Sequence, residues 1–126
     1  MRLVVAVLRP AQLEAVRQAL AAVHVTRLTI CDGQGYHASQ GGHVGHGDHG
    51  LRGESGIVQE SVMEIAVNDD FLERTVDTSL KAMLLGDEPS TDAAPDGSPR
   101  PSGRLFVLPI HDAVQLYRDV RGPEAI

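Results

Sequence analysis

Two segments of the chain carry apolar residues at the spacing of an amphipathic α-helix. The first, residues 11–23, places Leu13, Val16 and Leu20 three or four positions apart, directly after a proline that suits a first helical turn. The second, residues 69–85, repeats the spacing, and two aspartates open it after an asparagine that can cap a helix. We therefore predict two helices that each pack one face onto a core.

Four shorter runs predict β-strands. Residues 2–8 form a nearly continuous β-branched run, and residues 60–67 and 104–109 supply two further apolar runs. Residues 25–32 loosely alternate apolar and polar side chains and are predicted as the second strand in chain order. Residues 111–120 are predicted as a short closing helical turn.

Two long segments between these elements carry no core pattern. Residues 33–56 contain nine glycines, and residues 86–103 contain four of the seven prolines, so both are predicted as flexible connections. The remaining order is βαββαβ, which predicts an α+β, ferredoxin-like fold with a four-stranded antiparallel sheet and two helices on one face. Because the other sheet face is left bare, we expect an oligomer that covers it.

The composition is that of one small domain with an acidic surface. A formal net charge of -6 and a pI near 5.4 disfavour binding to nucleic acid or to anionic membranes, and the chain has no Trp for base stacking. The single cysteine, Cys31, is expected to be buried in a strand and leaves no disulfide within the chain. With no signal-peptide pattern and no run of ~20 apolar residues, we expect a cytoplasmic protein.

Four of the six histidines lie within residues 37–50. His43, His46 and His49 recur at every third position, and Asp48 adjoins the last of them. Imidazole nitrogens bind Zn, Ni and Cu, and a neighbouring carboxylate can ligate or orient. Two interpretations stay open. The segment binds one of these metals, or its glycines and histidines only keep it soluble and mobile.

The sequence contains none of the common catalytic motifs. Gly-x-Ser-x-Gly, His-Glu-x-x-His and Walker patterns are all missing from it, which favours a binding and signalling module over an enzyme. A small ferredoxin-like enzyme subunit is the alternative from another class.

Three stretches, in order, resemble the PII signal-transduction proteins. They are MRLVVAVLRPAQLEAVRQALAAVHVTRLTI, MEIAVNDDFLERTVDT and SGRLFVLPIHDAVQLYRDVRGPEAI, and the resemblance covers roughly residues 1–36, 60–85 and 103–126. It implies a single-domain, non-catalytic homotrimer that binds ATP or ADP between subunits and docks on a transporter or a regulatory protein, reaching a membrane only through such a transporter. It also implies that residues 33–59 form the partner-binding T-loop and that residues 86–103 form an extended B-loop region.

The resemblance also implies a nucleotide site. Thr29 matches the family's nucleotide-contacting threonine, Gly35 its first T-loop glycine, and Gly103 with Arg104 a Gly-Lys step at the phosphate-binding B-loop. Gln40 matches the T-loop glutamine that helps to hold magnesium and 2-oxoglutarate.

The chain departs from the family pattern at the phosphate-binding positions. Two C-terminal arginines of the family fall on Gln115 and Tyr117, although Arg118 and Arg121 lie close by, and a phosphate-facing lysine falls on Glu60. Because each charge-assisted hydrogen bond is commonly worth about 1.5–3 kcal/mol, we expect ADP or AMP to bind at least as well as ATP. A metal-responsive regulator of the same fold, serving a metal or ion transporter, is the alternative.

Overall fold

The computed structural model describes residues 1–37, 56–86 and 103–126. Within these ranges the elements are β1 (Arg2–Leu8), α1 (Pro10–Ala22), β2 (Thr29–His37), β3 (Gly56–Val67), α2 (Asp69–Leu85), β4 (Arg104–Pro109), β5 (Val114–Gln115), β6 (Val120–Arg121) and a closing 3₁₀ helix (Gly122–Ala125). β1 to β4 form one sheet in the order β2-β3-β1-β4, and every neighbouring pair is antiparallel. The predicted α+β, ferredoxin-like βαββαβ arrangement is confirmed.

Both helices pack on the same face of this sheet. Side chains alternate between the two faces of a strand, and one alternating set in each central strand is fully or almost fully buried under the helices: Val4, Ala6 and Leu8 of β1, and Ser61, Met63, Ile65 and Val67 of β3. The core that results joins all these elements, and its largest members are Leu8, Leu20, Met63, Ile65, Val4 and Val16. Neither helix of the described ranges has the length and the hydropathy needed to cross a membrane.

The opposite face of the sheet, here called the open face, is apolar over much of its area. Val5 on β1 lies opposite Glu64 on β3 and opposite Phe106 on β4, and residues that face each other across strands share one side of a sheet. Phe106 and Leu108 are 50% and 44% exposed. No helix of the described ranges covers this face, as the sequence predicts.

The second strand begins four residues later than the sequence predicts. His24 adopts a left-handed backbone conformation with φ 66°, and the Val25 amide donates a hydrogen bond to the Leu20 carbonyl over 3.0 Å. These residues therefore cap α1, because a left-handed residue after the last turn folds the chain back onto the helix. The predicted strand over 25–32 is wrong at its start, since Val25 enters the core from the cap and β2 starts at Thr29.

β2 and β3 are longer than predicted at their distal ends. Strand pairing continues from Gly33 opposite Glu60 to His37 opposite Gly56, so residues 33–37 and 56–59 are strand and not loop. The remainder of the predicted T-loop, 38–55, and most of the predicted B-loop region, 87–102, lie outside the described residues.

Cys31 is exposed, contrary to expectation, because β2 is an edge strand.

The closing segment 111–120 is a small hairpin, so the predicted helical turn is wrong. Val114 pairs with Arg121, and Gln115 pairs with Val120. Asp119 occupies the left-handed region with φ 50°, a conformation that aspartate tolerates in tight turns and that a helix does not contain. Pairing between strands is non-local, and the apolar spacing of so short a segment does not reveal it.

Candidate functional site

Glu60 contacts both Gly35 and Arg104 where β1 ends and β4 begins, and Gly103 directly precedes Arg104. We call this group the Glu60 corner: Gly35, Glu60, Gly103 and Arg104. The Arg104 Nη2 atom donates to the two carboxylate oxygens of Glu60 over 3.3 and 3.4 Å. The Arg104 side chain is 57% exposed, whereas the Glu60 side chain is only 16% exposed. The corner therefore holds a largely buried carboxylate beside an accessible guanidinium.

Gly35 gives the Glu60 carboxylate its space. A Cβ atom built on Gly35 would lie 2.4 Å from Cδ and from Oε2 of Glu60, closer than non-bonded atoms approach. The carboxylate thus rests directly against the β2 backbone. Any larger residue at this position would push the Glu60 side chain out of the corner.

Gly103 sets the entry of the chain into β4. Its φ of +117° is a conformation that other residues rarely adopt, and a Cβ atom there would lie 2.3 Å from Cε of Met83 and 3.2 Å from the Val7 carbonyl oxygen. Both backbone conformation and space require glycine. The tight approach places the next residue, Arg104, opposite Val7 at the start of the strand.

Thr29 lies away from this corner, at the other end of β2. It is paired with Glu64, and both residues line an open cleft of about 770 Å³ that Phe71 and the C-terminal Ile126 also border. Glu60 and Glu64 share one side of β3 and are separated by about 13 Å at ~3.3 Å per residue.

Arg118 and Arg121 belong to the C-terminal hairpin, which follows Pro109 at the opposite end of β4 from Arg104. Arg121 Nη1 donates to Asp112 Oδ2 over 3.4 Å, and the Arg118 side chain is exposed. One copy of the chain does not bring these two arginines together with the Glu60 corner. A site that uses all three arginines requires two copies.

The other predicted site residues lie outside the described residues. They are Gln40 for the nucleotide and His43, His46, Asp48 and His49 for a metal. Across residues 1–37, 56–86 and 103–126 there is no group of three or more His, Cys, Asp or Glu side chains that could hold a metal ion.

The role of Glu60 as the partner of Arg104 is the feature that sequence reasoning missed. It identified Glu60 only as a reversal of charge relative to the family pattern. The contact depends on the register that places Glu60 opposite Gly33 and two pairs away from Gly35. The sequence does contain a signal for this contact, namely an acidic residue in one strand and alternate glycines in the neighbouring strand. This pattern indicates a contact between the two strands only when their pairing is known.

Comparison with known proteins identifies the family. The family model for nitrogen regulatory protein P-II matches residues 1–120. The chain is 32% identical over 126 residues to the nitrogen regulatory protein GlnK1 of Methanosarcina mazei, an alignment that covers 100% of this chain and 97% of GlnK1.

A solved structure supports the same fold. The crystal structure of Arabidopsis thaliana PII bound to citrate superposes with a TM-score of 0.68 at 24% identity, covering 99% of this chain and 91% of the plant chain. The family match over most of the chain and the full-length identity to GlnK1 carry the assignment: the chain belongs to the nitrogen regulatory protein P-II family, whose members are non-catalytic signalling proteins.

Proposed function

We propose that this P-II protein binds an adenine nucleotide in clefts between the subunits of a homotrimer and docks on a partner protein through the predicted T-loop segment, residues 33–59, of which 33–37 and 56–59 are strand. ADP or AMP is the favoured ligand. Family membership establishes a nitrogen regulatory signalling protein. The proposal adds the ligand, the assembly and the surface that the partner contacts.

The meeting of Gly35, Gly103 and Arg104 in the Glu60 corner carries this proposal. Gly35 is far from the adjacent pair Gly103 and Arg104 in the chain, and the resemblance gave each of these residues a role near the nucleotide. The exposed guanidinium of Arg104 supplies positive charge for a phosphate. The two glycines keep the corner compact, because the Glu60 carboxylate packs against Gly35 and the Met83 side chain packs against Gly103. No catalytic role is needed for such a site to act as a sensor.

The cleft at Thr29 supports a place for the base of the nucleotide. Ala66 and Phe71 contribute apolar surface to it, while Thr29 and Glu64 contribute polar atoms. Such a mixture, mostly apolar with a few polar groups that fix orientation, is typical of small-molecule sites. Because the cleft is open in one copy, a second copy packed against it would exclude solvent from the ligand.

The phosphate preference follows from the charges around Arg104. Its guanidinium is already hydrogen-bonded to the Glu60 carboxylate, so an additional phosphate gains less there than it would from an unengaged arginine. Arg118 and Arg121 of a second copy are the further cations that the proposal uses. A ligand with one or two phosphates suits this limited positive charge better than a triphosphate does.

The spacing of the histidines favours a second candidate function, a metal-responsive regulator linked to a metal or ion transporter. His43, His46 and His49 with Asp48 present ligands suited to Zn, Ni or Cu. Ordering a glycine-rich segment costs roughly 1–2 kcal/mol per residue, so the expected affinity is modest and the binding reversible. Reversible binding is what a sensor of metal availability requires.

Isothermal titration calorimetry with AMP, ADP and ATP tests the leading proposal. We expect the protein to bind ADP or AMP at least as tightly as ATP, and Arg104→Ala to weaken binding by about 10-fold or more, because a charge-assisted hydrogen bond is lost. Arg17→Ala, which removes the same charge from an exposed position on α1, should leave the affinities unchanged.

Two results would contradict this proposal. One is tight, magnesium-dependent ATP binding that 2-oxoglutarate strengthens, and the other is the absence of heat with all three nucleotides. A heat of zinc binding that is lost when His43, His46 and His49 are changed to alanine would instead support the metal-responsive alternative.

A further inference from the structure

The Glu60 carboxylate is an anion that already engages the Arg104 guanidinium in the corner. It lies against the backbone of Gly35, and it accepts hydrogen bonds from Arg104 Nη2 at both of its oxygens. A guanidinium binds carboxylate and phosphate oxygens in much the same way, so the two anions are alternative partners for one cation. The protein therefore supplies its own anion to Arg104.

We propose that Glu60 is a specificity-determining residue that competes with the anionic groups of a ligand for Arg104, so that the site selects nucleotides of low negative charge against polyphosphates. This inference rests on the proposed function and deepens it, because it names the residue that sets which nucleotide is accepted.

The burial of Glu60 makes this competition effective. Its side chain is 16% exposed, so water screens its charge much less than it screens the charge of an exposed residue. A phosphate that enters while Glu60 and Arg104 stay paired meets a like charge at close range. A phosphate that displaces Glu60 from Arg104 removes a hydrogen-bonded cation from a largely buried carboxylate.

The repulsion increases with the charge of the ligand, and the cost of displacing Glu60 is met only by a ligand that carries a phosphate. Adenosine carries no phosphate and meets neither of them, whereas a triphosphate places the most negative charge near Glu60. The expected signature of Glu60 is therefore a graded effect along the series adenosine, AMP, ADP and ATP. A general loss of stability at the site would affect all four ligands alike.

The test compares the wild-type protein with Glu60→Gln, which keeps the shape of the side chain and removes its charge. Calorimetry with the four ligands is done without magnesium and at constant ionic strength, because a divalent cation or added salt would screen the charges in question. We expect ATP and ADP to bind about 10-fold more tightly or better to the variant, AMP to gain less, and adenosine to be unchanged.

Two further variants separate the competition for Arg104 from other causes. Glu73→Gln makes the same change of net charge at an exposed position on α2, and it should leave all four affinities unchanged. The double variant Glu60→Gln with Arg104→Ala should lose the gain, because no guanidinium is then released. Glu60→Ala, which removes the carboxylate altogether, should show the same order of effects if Glu60→Gln does not fold.

The outcomes distinguish this inference from the proposed function. An equal gain for all four ligands, an equal gain in Glu73→Gln, or a gain that survives in the double variant would overturn the role of Glu60. If Glu60→Gln binds ATP and the wild type binds none of the nucleotides, the role of Glu60 is supported and the proposed ligand of the native chain is wrong. If neither the wild type nor the Glu60 variants bind any nucleotide, both proposals are wrong.

Discussion

Asp69 ties the first residues of the chain to the start of α2. Its Oδ2 atom accepts a hydrogen bond from the N-terminal ammonium of Met1 over 2.9 Å, and its Oδ1 atom accepts one from Arg2 Nε over 3.0 Å. The hydrogen bond from the N-terminal ammonium, followed by the one from Arg2, lowers the pKa of Asp69. Asp69 also lies in the first turn of the helix, where the helix dipole favours a negative charge.

A carboxylate whose pKa is lower in the folded state than in the unfolded state adds stability above its unfolded pKa and loses that contribution as the pH falls through the folded value. We therefore expect Asp69→Asn to lower the Tm at pH 7 by a few degrees, with the difference from wild type shrinking below about pH 4. Thermal melting between pH 2 and pH 7 measures this effect. Asp77→Asn, an exposed change on the same helix, should not lower the Tm at pH 7, and a difference that grows in acid would contradict the expectation.

At the scale of elements, the distal ends of β2 and β3 form a two-stranded ribbon, residues 33–37 paired with 56–60. Pairing of β1 with β3 stops at Leu8 and Ser61, so no third strand of the described ranges supports this ribbon. Tyr36 and Ile57 face each other within it and are 71% and 70% exposed. Isolated two-stranded pairs are marginal in water, so cross-strand side-chain contacts matter here.

We expect Ile57→Ala to loosen the ribbon without destabilising the body of the protein. The lost cross-strand contact is worth about 0.2–1 kcal/mol, which should speed amide hydrogen exchange in the ribbon and leave the Tm nearly unchanged. Ile65→Ala, in the same strand but fully buried, should cost about 2–5 kcal/mol and lower the Tm strongly. An equal loss of Tm in both variants would show that the ribbon unfolds only together with the core.

The elements that the sequence predicted well are those whose own side chains decide their structure. The predicted bounds match the observed bounds for β1 (2–8), α2 (69–85) and β4 (104–109). A continuous apolar run or a helical spacing defines each of these elements locally. The ribbon and the C-terminal hairpin were missed, because partner strands and not local propensities order glycine-rich or short segments.

The candidate site was predictable only in part for the same reason. Gly35, Gly103 and Arg104 were named from their positions in a resemblance. The contact between Glu60 and Arg104 joins residues 44 positions apart through two strand registers, and no local pattern encodes a register of that kind.

At the scale of the whole molecule, the open face is the largest feature that a single copy leaves unexplained. Phe106 and Leu108 are about half exposed there, beside the apolar residues of β1 and β3. A contiguous apolar surface of this kind is costly in water and marks an interaction site. P-II proteins form homotrimers, and we expect this face to be buried between copies in the same way.

Light scattering should report a mass about three times the 13.5 kDa of the chain. Phe106→Glu should reduce the mass to that of one chain, because it would place a charge in an interface without a partner. Leu84→Glu introduces the same charge at a 61% exposed position on α2, in the helix layer, and should leave the mass unchanged. A wild-type monomer at micromolar concentration would refute the trimer, and with it a ligand site shared between copies.

The ribbon begins at Glu60, so the Glu60 corner lies at its base. Five residue pairs, from Gly33 and Glu60 to His37 and Gly56, span four steps along the strands, or roughly 14 Å at about 3.4 Å per residue. A rotation of about 10° at the base would displace the tip of a ribbon of that length by roughly 2.5 Å. The Glu60 carboxylate lies at that base, where a small change in the direction of the ribbon becomes a larger change in the position of its tip.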